Sequence, residues 1–249
     1  MKRLAVFASG RGSNFQAIIN HVRLGVLENV QISLLISNDA TAPALTLAKQ
    51  NSIPHIFIEG IQNRKFSSKQ EREEARNIFD QKAAAVLKEN GIDMVALAGF
   101  MQVLGKPVLQ NYNLGIFNIH PALDLARFGG RGMYGERVHA AVLQAGETRS
   151  GCTVHYVDES VDGGPIILQS SVPVEPGDTP SALAQRVLIQ EHRTYSKVIQ
   201  LKADERIHVT NGKATIDWSG NWEAAWDRRQ VAFIKHQEEA LKEHVMHNH

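Results

Sequence analysis

Asn118 and His120 stand two residues apart in Phe117-Asn118-Ile119-His120-Pro121, with apolar side chains around them. On an extended segment residues two apart share a face, so an amide and an imidazole project together from one strand end. An amide N–H and an imidazolium aimed at one carbonyl oxygen stabilise the charge that develops when a nucleophile attacks that carbonyl. Histidine is also the natural group to move a proton near neutral pH. Such a histidine needs an orienting partner. Asp162, in Val161-Asp162-Gly163-Gly164-Pro165, is a carboxylate on a glycine-rich loop able to reach inward, and its charge is expected to raise the histidine pKa. The plainer reading is three separate residues: a turn-forming Asn, a satisfied core His and an Asp that opens a Gly-Gly turn.

A second motif, Ser9-Gly10-Arg11-Gly12-Ser13-Asn14, links a short apolar run to a helical pattern. A helix N-terminus offers unpaired N–H groups and partial positive charge, which suits a phosphate, and glycines let the backbone approach it. Phe15 occupies the place of a third glycine, so a phosphate-sized ligand is expected rather than a dinucleotide. The plainer reading is a tight turn whose Ser13 caps the helix. His155, between Val154 and Val157, reads as a buried, hydrogen-bonded histidine with an active-site contact as the alternative. Cys152 reads as a small buried hydrophobe and not a nucleophile. His244, His247 and His249 read as a solvated helix end, so no metal site is expected.

The elements that must position these groups follow from periodicity. Apolar runs at Leu4–Ala8, Val30–Ile36, Ile53–Ile58 and Asp93–Ala98 predict strands. Helical patterns lie between them at Asn14–Val22, Ala44–Gln50 and Ser68–Glu89. Runs apolar on both faces and separated by helices predict an α/β fold: an open, mostly parallel, Rossmann-like sheet with helices on both faces. A strand at Ile116–Ile119, a helix at Glu136–Gln144 and strands at Cys152–Val157 and Pro165–Val174 come next. Thr179 and Pro180 then fit the N-cap and first position of another helix. Arg206–Val209 and Ala214–Trp218 predict a C-terminal hairpin. From Asn221 an amphipathic helix carries Trp222, Trp226, Phe233, Ile234, Leu241 and Val245 largely on one face, to pack on the body or on a second subunit. The chain divides on this reading into a catalytic part, 1–218, and a helical extension, 219–249.

A formal net charge of +1 over 249 residues argues against duplex nucleic acid or an anionic membrane as partner. A single cysteine excludes an intramolecular disulfide and a multi-thiolate metal site. Lys2-Arg3 and the apolar residues after it mimic a leader, but the run is too short, so a buried strand in a cytoplasmic protein is expected. No stretch reaches the ~20 apolar residues of a membrane span.

Taken in order, Gly10–Asn14, Leu97-Ala98-Gly99-Phe100-Met101, Asn118–Pro121, Asp162-Gly163-Gly164-Pro165-Ile166 and Gln190-Glu191-His192 resemble the phosphoribosylglycinamide formyltransferases, folate-dependent enzymes of purine synthesis. The resemblance implies the formyltransferase fold, 10-formyltetrahydrofolate as formyl donor, no metal, and the amine of glycinamide ribonucleotide as acceptor. It implies His120 as acid/base, Asn118 as oxyanion donor and Asp162 as the group that raises the His120 pKa. Gly12, Ser13 and Asn14 would hold the substrate phosphate, and Glu191 with Leu188, Ile189 and Gln190 the glycinamide end. Met101, Gln102, Val103 and Leu104, with Asp158, Glu159, Ser160, Val161 and Asp162, would line the pterin pocket, and Arg76 would contact the folate. The small-molecule partners are then a phosphorylated amine and a folate, with a homodimer left open.

Three features depart from the family pattern. Ala122–Arg127 lacks the usual proline after the catalytic loop and is one residue longer, Gln102 replaces a common arginine, and the helix beyond Ser219 passes the usual end. A formyltetrahydrofolate deformylase, another formyltransferase and a non-catalytic phosphate-binding module are the alternatives.

Overall fold

Leu4-Ala5-Val6-Phe7-Ala8 is apolar at every position, as a strand buried on both faces must be. In the computed structural model it does serve both faces. Leu4, Val6 and Ala8 enter one hydrophobic cluster, while Ala5 and Phe7 enter a second on the other side of the sheet. The structure describes residues 1–62, 64–112, 114–231 and 233.

In chain order the elements are β1 (Lys2–Phe7), α1 (Ser13–Arg23), β2 (Val30–Ser37), α2 (Pro43–Gln50), β3 (His55–Phe57), α3 (Lys69–Glu89) and β4 (Met94–Leu97). Next come α4 (Lys106–Leu109), a 3₁₀ turn (Gln110–Tyr112), β5 (Ile116–His120), α5 (Leu125–Phe128), α6 (Glu136–Gln144), β6 (Arg149–Tyr156) and β7 (Ile166–Pro173). The chain continues through α7 (Pro180–Ala203) and the hairpin β8 (Ile207–Thr210) and β9 (Lys213–Ile216). The seven-stranded sheet runs β3-β2-β1-β4-β5-β6-β7. Its first five strands are parallel, and β6 and β7 return antiparallel. The order reverses between β1 and β4, and in open α/β sheets the ligand crevice lies at the carboxyl ends of the strands at such a reversal.

Helices α1, α6 and α7 cover one face, contributing Phe15, Val138 and Val198 to its cluster. Helix α3 covers the other through Phe79, Ala83 and Leu87. Thr179 caps α7 as predicted, accepting from the Ala182 N–H at 3.1 Å, with Pro180 in the first turn. Three details differ from the expected elements. The third strand shrinks to three residues, because His55 and Phe57 stay exposed at the sheet edge. Helix α1 starts at Ser13 with Gly12 as N-cap in the left-handed region at φ 76°, so Ser13 is not a cap. The short helices α4 and α5 are additions that a periodicity of 3.6 is too long to reveal. The extension is helical over 222–231, and its Trp222 and Trp226 are buried in the main cluster. Ile234, Leu241, Val245 and the three terminal histidines lie outside the described residues.

Tyr195, fully buried in α7, ties this face to the strand ends that matter most. Its hydroxyl lies 2.8 Å from the Leu97 carbonyl and 3.0 Å from that of Phe117, at the adjoining ends of β4 and β5. Tyr195→Phe removes this one buried hydroxyl donor from carbonyls that the β4–β5 ladder also serves, and a hydrogen bond of this kind contributes about 0.5–1.5 kcal/mol. Urea unfolding of this variant is expected to show a loss of that size with an unchanged slope.

Candidate active site

The strand reversal opens onto a cavity of about 1620 Å³. Its walls come from the loops after β1 and β4, the end of β5, the loops after α5 and β6, and one side of α7. Asn118 and His120 enter it from β5 as the two-residue spacing requires, and Asp162 comes from the β6–β7 loop. In this loop Asp162 adopts φ 55°, a left-handed conformation that turns its carboxylate back over the strands.

The Asp162 carboxylate is the hub of the cluster. One oxygen lies 3.7 Å from His120 Nδ1 and accepts the Gly130 N–H at 2.8 Å. The other lies 3.6 Å from His155 Nε2 and 3.4 Å from Asn118 Nδ2. His120 Nε2 is 2.8 Å from the Phe128 carbonyl. A carbonyl only accepts, so Nε2 carries a proton and Nδ1 is the nitrogen left for exchange. His155 Nδ1 likewise donates to the Tyr156 carbonyl at 2.9 Å, leaving Nε2 3.3 Å from the Asn118 amide. Both Asn118 contacts are long, so its N–H groups are weakly committed and free to turn to a better acceptor.

Burial dominates the charge state of His120 and pushes its pKa below the ordinary histidine value. Asp162 and the Phe128 carbonyl pull the other way without winning, and the neighbouring His155 adds to the lowering. The net shift is therefore downward. Asp162 does act upward, but loss of hydration around the ring is larger. Asp162 itself ends below the usual carboxylate range. Burial raises it, and its contacts to His155, Gly130 and His120 outweigh that.

The loop after Pro121 proves to be wired into this cluster. Asp124 caps α5, accepting from the N–H groups of Ala126 and Arg127 at 3.1 Å each. That short helix delivers the Phe128 carbonyl to His120, and the chain then delivers the Gly130 N–H to Asp162. An added Cβ at Gly129 would meet the Leu125 carbonyl at 2.4 Å and Asp162 Cβ at 3.2 Å, so this path is open only to glycine.

At the other end of the cavity, Gly12 packs against α2: a Cβ there would come within 3.1 Å of Ala44 Cβ. Ser13 and Asn14 open α1, and Asn14 Nδ2 donates to Glu191 Oε2 on α7 at 2.7 Å. Both side chains are buried, and burial raises the Glu191 pKa against the pull of Asn14. Asn14 Oδ1 has no partner among the described residues.

Of the remaining expected residues, Arg76, Met101, Gln102, Val103, Leu104, Asp158, Ser160, Val161 and Leu188 line the same cavity. Glu159, Ile189 and Gln190 do not. The carboxylate of Glu159 lies outward, 4.0 Å from Lys106. Ile189 and Gln190 lie on the wrong side of α7, because helical spacing from Leu188 reaches Glu191, Ala184, Gln185 and Ser181 instead. That spacing was the signal for the last three. Gln102 is almost fully buried and spends its carbonyl oxygen on the Ile61 N–H at 3.0 Å, so it holds a loop. Arg64, Arg72, Arg131 and His139 also line the cavity without a motif to mark them. His139 is buried, and burial followed by the neighbouring His120 lowers its pKa to about 4. Cys152 is buried and its thiol is pushed up to about 12, in keeping with a packing role. Among the described residues no group of three or more His, Cys, Asp or Glu is placed to hold a metal ion. No described helix is long and apolar enough to cross a membrane.

A parallel sheet with an amide, an imidazole and a carboxylate at one strand end, beside a glycine-lined helix start, defines a class, and residues 2–199 match the family described as formyl transferase. The chain belongs to that family. Within it, the chain is 39% identical over 206 residues to the chloroplastic phosphoribosylglycinamide formyltransferase of Arabidopsis thaliana, covering 83% of this chain and 67% of that one. It is 36% identical to the corresponding enzyme of Vigna unguiculata, of which it spans 62%. It is 40% identical to the human trifunctional purine biosynthetic protein adenosine-3, of which it spans only 19%. Among solved structures, glycinamide ribonucleotide transformylase 1 from Symbiobacterium toebii superposes with a TM-score of 0.75 at 35% identity, over 87% of this chain and 94% of that one. A formyltetrahydrofolate deformylase from Pseudomonas syringae pv. tomato shares the fold, with a TM-score of 0.73 at 22% identity.

The opposition between burial and Asp162 at His120 has a measurable sign. Asp162→Asn removes the charge that favours the imidazolium and leaves burial unopposed. An NMR titration of His120 is expected to move further below the ordinary histidine value in this variant; an upward movement would contradict the assignment of Asp162 as its charge partner.

Proposed function

We propose that this chain transfers the formyl group of 10-formyltetrahydrofolate to the amine of glycinamide ribonucleotide. The observation that carries the reading is the convergence of Asn118, His120 and Asp162 on the same cavity as the Gly12–Asn14 helix start. The relatives at 35–40% identity, which are named for this reaction or for purine synthesis, support it.

In this reading the phosphate of the acceptor sits on the N–H groups that open α1, where the helix end supplies partial positive charge. Asn14 stands at this phosphate end, and Glu191, bonded to it, reaches toward the glycinamide portion. The folate lies along Met101–Leu104 and the Asp158–Asp162 loop, with Arg76 at its acidic end. Glu159, Ile189 and Gln190 are left out, since they face away.

The acceptor nitrogen attacks the formyl carbon, and the carbonyl oxygen gains negative charge. Asn118 Nδ2 turns from its two long contacts to donate to that oxygen. His120, neutral at rest because it is buried, takes a proton at Nδ1 from the attacking amine. Asp162 and the Phe128 carbonyl then stabilise the imidazolium. The same proton passes to the departing folate nitrogen, the C–N bond to the folate breaks, and His120 returns to its neutral form. A buried histidine with opposing pulls suits both halves of this transfer, since its pKa must serve uptake and release alike.

The test is a spectrophotometric assay with a 10-formyl folate, with and without glycinamide ribonucleotide. Folate release only with the amine present is expected; release into water alone assigns a deformylase instead. Asn118→Ala is expected to lower kcat by about 10²–10³ and His120→Ala by about 10²–10⁴, with melting temperatures near that of the parent. Loss of stability without loss of turnover would return these residues to a structural role.

A further inference from the structure

The extension beyond Ser219 lies outside the matched family region, yet it is packed as core. Trp226 is 3% exposed and Trp222 7%, and their rings stack at 5.8 Å with an interplanar angle of 3°. Trp222 lies beside α7, with Lys197 Nζ 6.0 Å from its ring centre. Arg229, 5.6 Å over the Trp226 ring, reaches the turn after α1, so the pair stands next to the seam between α1 and α7. That seam has three polar ties along its length: Asn14 to Glu191 at 2.7 Å, His21 Nδ1 to Ser196 Oγ at 2.7 Å, and the Glu28 N–H to Gln200 Oε1 at 2.7 Å.

The extension engages the second and third ties directly. The Phe233 ring lies 4.3 Å from the His21 ring. Arg229 pairs with the Glu28 carboxylate at 2.6 Å. The Trp222 indole N–H donates to Asp204 Oδ2 at 2.6 Å, while Asp204 Oδ1 accepts from Gln200 Nε2 at 2.9 Å. Lys197 of α7 pairs with Glu223 at 3.1 Å and sits 4.9 Å over the Trp218 ring. One short segment therefore holds α7, α1 and the turn after α1 at once.

We propose that residues 218–231, with Phe233, act as a strap that fixes α1 against α7, and thereby hold the Asn14–Glu191 pair at the phosphate end of the cavity. His21 is seven residues from Asn14, about 10 Å along the same helix, so a shift of α1 at its strapped end is carried to its first turn. The Asn14–Glu191 contact is sensitive to such a shift. Both groups are buried, and a small separation leaves an amide and a carboxyl without partners.

The strap is tested in the full-length protein by Trp226→Ala, with Trp226→Phe as the conservative control. Amide hydrogen exchange needs no substrate. It is expected to rise about tenfold in Trp226→Ala over residues 16–20, whose N–H groups are the first bonded ones of α1, as local opening does when packing is lost, and to stay unchanged in β1 and β4. The kinetic arm rests on the formyl-transfer reading. The KM for the phosphorylated amine is expected to rise about five-fold, while kcat and the folate KM stay within about two-fold. Trp226→Phe restores both. If Trp226→Ala fails to fold, Trp222→Phe keeps an aromatic ring while removing the pyrrole portion and its N–H to Asp204, and the same pattern is expected in milder form. Faster exchange confined to residues 204–233, or both KM values rising together, overturns the strap. If the parent transfers no formyl group but exchange at 16–20 responds as stated, the functional reading fails and the strap stands.

Discussion

The opposition between dehydration and a nearby negative charge at one imidazole is what the rest of this structure serves. A histidine on a solvated loop would need no special partner, and a histidine sealed in the core could not take a proton at all. His120 lies between these cases. Its ring is nearly covered, its Nε2 is fixed by a backbone carbonyl, and a carboxylate stands 3.7 Å from the nitrogen that remains. Each of these conditions requires a different part of the fold. The parallel strand β5 aims the ring, the antiparallel return through β6 and β7 brings round the loop that carries Asp162, and the chain after Pro121 supplies the carbonyl.

That last contribution comes from residues 122–130, a segment that contains no proline. In place of proline's stiffness it has a capped turn of helix, with Asp124 fixing the start and Gly129 permitting the exit. The two hydrogen bonds it sends into the cluster, from the Phe128 carbonyl and the Gly130 N–H, need a defined backbone path but no particular side chains.

This distinction also separates what was legible in the sequence from what was not. Strand positions, the parallel sheet and the pairing of Asn118 with His120 follow from periodicity, because side-chain direction is set by local backbone geometry. The hairpin and the α7 cap follow from turn and capping chemistry in the same way. Contacts made by main-chain atoms carry no side-chain signature, so the link from Phe128 to His120 was invisible. The net direction of the His120 pKa is hidden for a related reason: a charged neighbour is visible as a residue type, whereas the depth of burial exists only in three dimensions. Ile189, Gln190 and Glu159 are neighbours of cavity residues in sequence, and helix and loop geometry sends them elsewhere. Conversely, Asn14 and Glu191 are far apart in sequence, and only the fold shows them bonded to one another.

The two margins of the main sheet have a bearing on how the molecule behaves in crowded solution. Strand β3 offers only three residues of unpaired backbone, and β7 at the opposite margin is bounded by Pro165 and closes on Pro173, which has no N–H to donate. The short β3 margin gives a neighbouring chain little ladder on which to add a strand, whereas the prolines at the ends of β7 mark where its longer ladder starts and stops.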